Sequence, residues 1–229
     1  SSAPGEDGLT GIFYQQFWHI VGPDLTAEIQ SFFRSEVIPD GWNHTQLSLL
    51  PKVPNPSRMQ DMRPISLCSV QYKIISNILC NRLKKILPEI ISETQGAFVS
   101  GRLISDNIII AHEMVHGLRT VDKVAEGWMA IKTDMSKAYD RVEWNFLEVL
   151  LEKMGFAHTW IRWIMACVSS VSFSVLLNGN SHGFIKPERG IRQGDPLSPF
   201  LFILCAEALV SSLNTSEEAG RLHGIKLTS

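Results

Sequence analysis

Cysteine is scarce in this 229-residue chain, and the four present (Cys68, Cys80, Cys167 and Cys205) form no Cys-x-x-Cys pair. That excludes a disulfide scaffold or a zinc ribbon and points to reduced core thiols in an intracellular protein. Long hydrophobic runs are missing too: stretches such as Phe200 to Leu204 fall far short of the roughly 20 residues that cross a bilayer, so no membrane partner is expected. There is no internal repeat, which argues against a solenoid, and Ser1 to Thr10 is polar and acidic, unlike a secretory leader. The first methionine is Met59, so a piece of a longer protein is expected.

What is present suffices for a packed core. Hydrophobic residues make up 45% of the chain, enough for one large domain or two intimately packed subdomains. Net charge is −2, but residues 51–102 hold eight basic groups against three acidic ones, leaving −7 for the rest. Such a block suits either a polyanion-binding face or a solvated helix surface.

Turn residues dominate positions 1–60, with one helix read at Asp24 to Val37. Val70, Ile74, Ile78 and Ile75, Leu79, Leu83, Ile86 keep helical spacing, with Pro88 expected to end that helix. Ile104, Ile108, Ala111, Val115 and Leu118 mark a second helix with one buried face. Met129 to Asp134 alternates as a strand, with Asp134 at its end. Helices follow at about residues 143–154 and 158–168. Then come alternation from Val171 to Leu177, an Asn178-Gly179 hairpin signal and a last helix beginning near Leu197. The order predicts an α+β fold.

His112-Glu113-Met-Val-His116 fits H-E-x-x-H on a helix, where two histidines could hold zinc and the glutamate act as base. The metzincin completion is missing, since Arg119 and Asp122 occupy the positions where glycine and a third histidine belong. A zinc metallopeptidase is therefore a remote alternative, and the histidines read as edge-of-core residues.

A stronger constellation joins Ala130-Ile-Lys-Thr-Asp134-Met-Ser-Lys-Ala-Tyr139-Asp140 to Gly190-Ile-Arg-Gln193-Gly194-Asp195-Pro196. A carboxylate at a strand end can ligate Mg²⁺ and leave room for phosphate oxygens. A glycine-rich turn opening onto a helix admits a bulky ligand. Upstream stand Ala3-Pro-Gly-Glu-Asp-Gly8, Leu50-Pro-Lys52, Arg63-Pro-Ile-Ser-Leu67, Tyr72-Lys73, Asn81-Arg-Leu83, Gln95-Gly-Ala-Phe98 and Gly101-Arg102. Together these motifs resemble, nearly end to end, the reverse transcriptase domain of plant-like non-LTR (LINE-type) retrotransposons.

The resemblance implies a right-hand polymerase, with a fingers-like region over 1–127 and a partial palm over 128–229. It implies two-metal nucleotidyl transfer with Mg²⁺ or Mn²⁺ on an RNA template, a DNA primer and dNTP, beside other domains of a parent polyprotein and in the nucleus. Asp134 would be the catalytic, metal-ligating carboxylate. Lys52 and Arg63 would grip the triphosphate, Tyr139 would reject a 2′-hydroxyl, and Gln193 and Gly194 would lie by nucleotide and template. Asp140 and Asp195 read instead as helix caps. The family's aromatic-Ala-Asp-Asp motif is absent: no aspartate follows Asp195 and no Asp-Asp pair occurs. The chain as it stands is thus expected to be inactive alone, and a non-catalytic nucleic-acid-binding remnant is the principal alternative.

Overall fold

In the computed structural model, residues 4–120 and 129–224 are described. Two compact units divide the chain: residues 1–82 with 137–202, and residues 83–136 with 203–229.

The first unit is built on a four-stranded mixed sheet ordered β2-β1-β3-β4, formed by β1 (His44–Pro51), β2 (Met62–Cys68), β3 (Ser172–Leu177) and β4 (Asn180–Ile185). β1 pairs antiparallel with β2 and parallel with β3, and β3 pairs antiparallel with β4. The β3–β4 turn is the expected Asn178-Gly179, with φ of 51° and 82°, as a two-residue turn of mirror-image type requires. Side chains reinforce the parallel pairing: the His44 imidazole contacts the Ser172 and Ser174 hydroxyls at 2.8 and 2.9 Å.

Helices α1 (Gly11–Gln16), α2 (Trp18–Ser35) and α3 (Val70–Ile90) accompany the strands. Helix α2 runs through Pro23 and begins earlier than the pattern suggests. Helix α3 likewise continues through Pro88. That proline removes one amide donor near the helix end, and the Arg102 guanidinium gathers the Pro88 carbonyl of the last turn with those of Ile91, Ser92 and Gln95 in the loop beyond. The buried face of α3 is Tyr72, Ile75, Leu79, Leu83 and Leu87, spaced by three and four residues as one helical face requires.

Further on lie α4 (Ile104–Thr120), α5 (Trp144–Lys153), α6 (His158–Ser169) and α7 (Ser198–Glu218). Leu147 and Leu151 anchor α5, and Ile161, Ile164, Cys167 and Val168 anchor α6. Helix α7 is long and apolar enough to cross a membrane. Its first turns nevertheless bury Phe200, Leu201, Ile203 and Leu204 as a core helix does, while Leu209 and Leu213 stay exposed.

Two expectations fail. Helix α4 forms, but its apolar residues Ile104, Ile108 and Val115 are exposed, as are His112 and His116. Residues 129–135 form no strand, and Met129 and Ile131 are 78% and 76% exposed. An extended segment holds its shape only where a neighbour takes its amides and carbonyls. Among the described residues none pairs with this one.

Candidate active site

The first unit assembles the predicted nucleotide-binding residues on a common frame. Arg63 lies opposite Leu50 in the β1–β2 ladder. Lys52 comes immediately after β1, at the end of the hairpin ladder that carries Arg63. Both are exposed. The Lys52 amide continues the ladder onto the Asp61 carbonyl at 2.7 Å, and its ammonium donates to the Gln60 carbonyl at 3.0 Å.

Gln193 and Gly194 reach the same strand from elsewhere in the chain. The Ser66 amide donates to the Gln193 carbonyl at 2.9 Å, which seats the turn three residues along β2 from Arg63. Gly194 has φ of 104°, and a Cβ there would meet the Ser66 carbonyl at 3.1 Å. Glycine is therefore demanded twice, by backbone conformation and by space.

Tyr139 sits in a short 3₁₀ turn, Tyr139–Arg141. Its carbonyl accepts from the Ile191 amide at 2.9 Å, and the Val142 carbonyl accepts from the Gly190 amide at 2.7 Å. The Trp144 indole donates to the Gly190 carbonyl at 2.8 Å. These bonds tie the two central motifs together. The Tyr139 ring meets Phe202 edge-on, with centroids 5.4 Å apart, and burial pushes its phenol pKa up.

Asp134 stands differently. It is exposed, lies in the irregular segment and belongs to the second unit. No group of three or more His, Cys, Asp or Glu side chains capable of holding a metal forms among the described residues. The described carboxylates thus do not assemble a divalent-metal site around Asp134, nor does a third ligand join His112 and His116.

The expected caps are corrected in detail. Helix α5 starts at Trp144 with Glu143 as its N-cap residue and no side-chain cap bond, so Asp140 does not cap it. Asp195 does cap a turn, accepting from the Leu197 amide at 3.0 Å, but it is also buried in an ion pair with Arg192 at 2.8 Å.

That ion pair is the part of the site which the sequence pattern concealed. The Tyr72 hydroxyl donates to Asp195 at 2.6 Å, and Arg192 lies over the Tyr72 ring at 3.8 Å from its centroid. Arg192 also donates to the Asn43 side-chain oxygen, to the Thr45 hydroxyl at 3.1 Å and to the Cys167 carbonyl at 3.4 Å. The two terminal nitrogens of its fork thus make four buried hydrogen bonds. Burial drives the Tyr72 phenol well above its ordinary range, opposed by Arg192. Burial alone would lower the Arg192 pKa, but Tyr72 and Asp195 hold the cation above its usual value. The signal available in sequence was Tyr72 and Arg192-x-x-Asp195 inside apolar helices and turns.

The Arg192–Asp195 pair also lines a cavity of about 230 Å³, together with Phe173, Ile185, Gly190 and Asp140 among others. It is smaller than the roughly 300 to 1,000 Å³ of small-molecule sites, and none of Lys52, Arg63, Asp134, Tyr139, Gln193 and Gly194 lines it.

Residues 51–226 match the family model described as reverse transcriptase (RNA-dependent DNA polymerase). The chain is 32% identical over 93% of its length to the Transposon TX1 uncharacterized 149 kDa protein of Xenopus laevis, of which it spans 16%. It is 26% identical over 96% of its length to a Retrovirus-related Pol polyprotein from type-1 retrotransposable element R2 of Popillia japonica, spanning 30% of it. A type-2 counterpart from Drosophila melanogaster is 27% identical over 93% of the chain. The chain therefore covers less than a third of the length of these relatives, and it belongs to the reverse transcriptase family, as a domain of the non-LTR retrotransposon type.

Proposed function

We propose that the chain is the nucleotide-gripping part of a LINE-type RNA-directed DNA polymerase and does not polymerise by itself. In this reading residues 1–127 serve as fingers and 128–229 as a partial palm. The observation that carries it is the convergence on the β1–β2 hairpin: Lys52 stands just past the end of β1, with its amide bonded to the Asp61 carbonyl, Arg63 stands on β2, and Gln193-Gly194 is seated on β2 by the Ser66 bond.

The work of these residues is binding and orientation. An incoming triphosphate displaces the Gln60 carbonyl from the Lys52 ammonium, which then meets phosphate as a point charge. Arg63 offers a planar fork to two phosphate oxygens. The glycine at 194 lets backbone come close to the base pair, and the Tyr139 ring occupies the space a 2′-hydroxyl would need. Family polymerases use divalent ions. Asp134 is the candidate ligand supplied by this chain, and the carboxylates described do not complete its shell, so no catalytic step is assigned to the chain.

The basic block favours a second reading in which the chain binds template without extending it. Primer extension on an RNA template with Mg²⁺ or Mn²⁺ separates the two. We expect no product from this chain, product from a longer protein that adds an aromatic-Ala-Asp-Asp segment, and loss of that product on Asp134→Ala. Extension by this chain alone that vanished in Asp134→Ala would overturn the claim of inactivity. A longer protein that bound template yet never extended it would favour the second reading.

A further inference from the structure

The turn that seats Gln193 and Gly194 on β2 also borders a cavity. Arg192 and Asp195, the residues on either flank of that pair, are walls of the space of about 230 Å³ in the first unit. Its floor is apolar and buried: Val168 and Val171 come from the end of α6 and just beyond it, and Leu197 and Leu201 from the start of α7. Asp140, Ile185 and Arg189 line it as well and are exposed, so they mark its opening.

Volume, charge and one donor define what fits there. An apolar cavity of about 150 Å³ admits benzene, so this one has room for a single ring with a substituent and too little for a nucleotide. The cations Arg189 and Arg192 are offset by Asp140 and Asp195, and Arg189 is further engaged by Glu143 at 3.0 Å. An ion brought onto the apolar floor would therefore lose its hydration without gaining a free counter-charge. The donor is on Arg192. Its terminal nitrogens are taken by Asn43, Thr45, Cys167 and Asp195, whereas among the described residues no acceptor takes its Nε–H. A buried donor left unmet is costly, and a carbonyl oxygen would meet it.

We propose that this cavity binds a small neutral aromatic molecule carrying a carbonyl group, its ring on Val168, Val171 and Leu201 and its oxygen on the Arg192 Nε–H. Occupancy braces the turn from behind, because the two cavity walls Arg192 and Asp195 flank the Gln193 carbonyl that holds the Ser66 amide. The site uses none of the residues assigned to the nucleotide and does not depend on the polymerase reading.

The test is an NMR titration of the intact chain with benzamide. We expect saturable shifts and intermolecular NOEs at the methyl groups of Val168, Val171 and Leu201. Both should be lost in Ile185→Trp, which fills the opening from an exposed position on β4. Toluene, a ring without an acceptor, should bind about tenfold more weakly or worse, and so should benzoate, whose charge must be buried. With benzamide at about ten times its Kd, exchange of the Ser66 amide should slow about tenfold. Exchange of the Gly8 amide, held in a separate turn by the Gly5 carbonyl at 3.1 Å, should not change. Absence of saturable shifts in the parent, NOEs only to methyl groups elsewhere, or undiminished binding by an Ile185→Trp chain of unchanged melting temperature would overturn the proposal. Should that variant fail to fold, the NOEs of the parent decide alone. Toluene or benzoate binding as tightly as benzamide would overturn it too, because the carbonyl or the neutrality of the ligand would then play no part.

Discussion

Tyr72 and Arg192, 120 positions apart, reach the same carboxylate oxygen of Asp195, at 2.6 and 2.8 Å, while the guanidinium carbon sits 3.8 Å from the centroid of the phenol ring. The three form one buried unit. Removing Arg192 leaves Asp195 as an uncompensated buried charge, which costs about 3 to 5 kcal/mol. We expect Arg192→Met to lower unfolding free energy by that amount, and Tyr72→Phe by about 1.5 to 3 kcal/mol for the lost bond to a charged acceptor. Because they share an oxygen, the two losses should not add. Urea denaturation of the single and double variants measures this, and strict additivity would show that the groups act separately.

Alkaline pH should weaken the fold. Burial raises the Cys167 thiol from 9.0 to about 12 and the Cys205 thiol likewise, and raises Cys68. Folded values above unfolded ones mean that the folded chain keeps protons which the unfolded chain releases. Stability is therefore fully present below about pH 9 and falls between 9 and 12, by about 1.4 kcal/mol per pH unit for each of Cys167 and Cys205. Cys167→Ala should show a shallower decline across that window, read by denaturation at stepped pH. A slope identical to the parent's would refute the assignment.

Gly194 offers a local test. Gly194→Ala must place a methyl in left-handed backbone and against the Ser66 carbonyl, at a cost of about 1 to 3 kcal/mol. Gly41, with φ of 79° but nothing within 4 Å, is the control for conformation without contact. We expect Gly194→Ala to cost more than Gly41→Ala and to speed hydrogen exchange at the Ser66 amide, which the Gln193 carbonyl holds. Unaltered exchange there would argue that the turn is not seated as described.

Local signals carried far in the sequence. The apolar steps of Leu147, Leu151, Ile161 and Ile164 mark α5 and α6, and Asn178-Gly179 marks the hairpin, because in each the contacts that shape the segment lie within a few residues of it. Lys52, Arg63, Tyr139, Gln193 and Gly194 were legible as candidates through short motifs. What was not legible depends on distant partners. β1 was hidden among turn residues, since its strand character comes from β2 and from β3 far along the chain. Residues 129–134 have the alternation of a strand and, among the described residues, no strand beside them. The Tyr72–Arg192–Asp195 unit escaped because each member has an adequate local explanation, as helix, turn and cap.

The parallel register between β1 and β3 has a temporal meaning. His44 pairs with Ser172 and Ser48 with Leu176, a separation of 128 residues in each case. At about 5 to 20 residues per second, a ribosome needs roughly 6 to 26 seconds after making β1 to deliver its partner. For that interval the nascent hairpin presents a bare strand edge carrying Leu47 and Leu49, the kind of edge on which a neighbouring chain can pair. Translation speed over residues 49–176 thus sets how long the newborn domain needs a chaperone's cover.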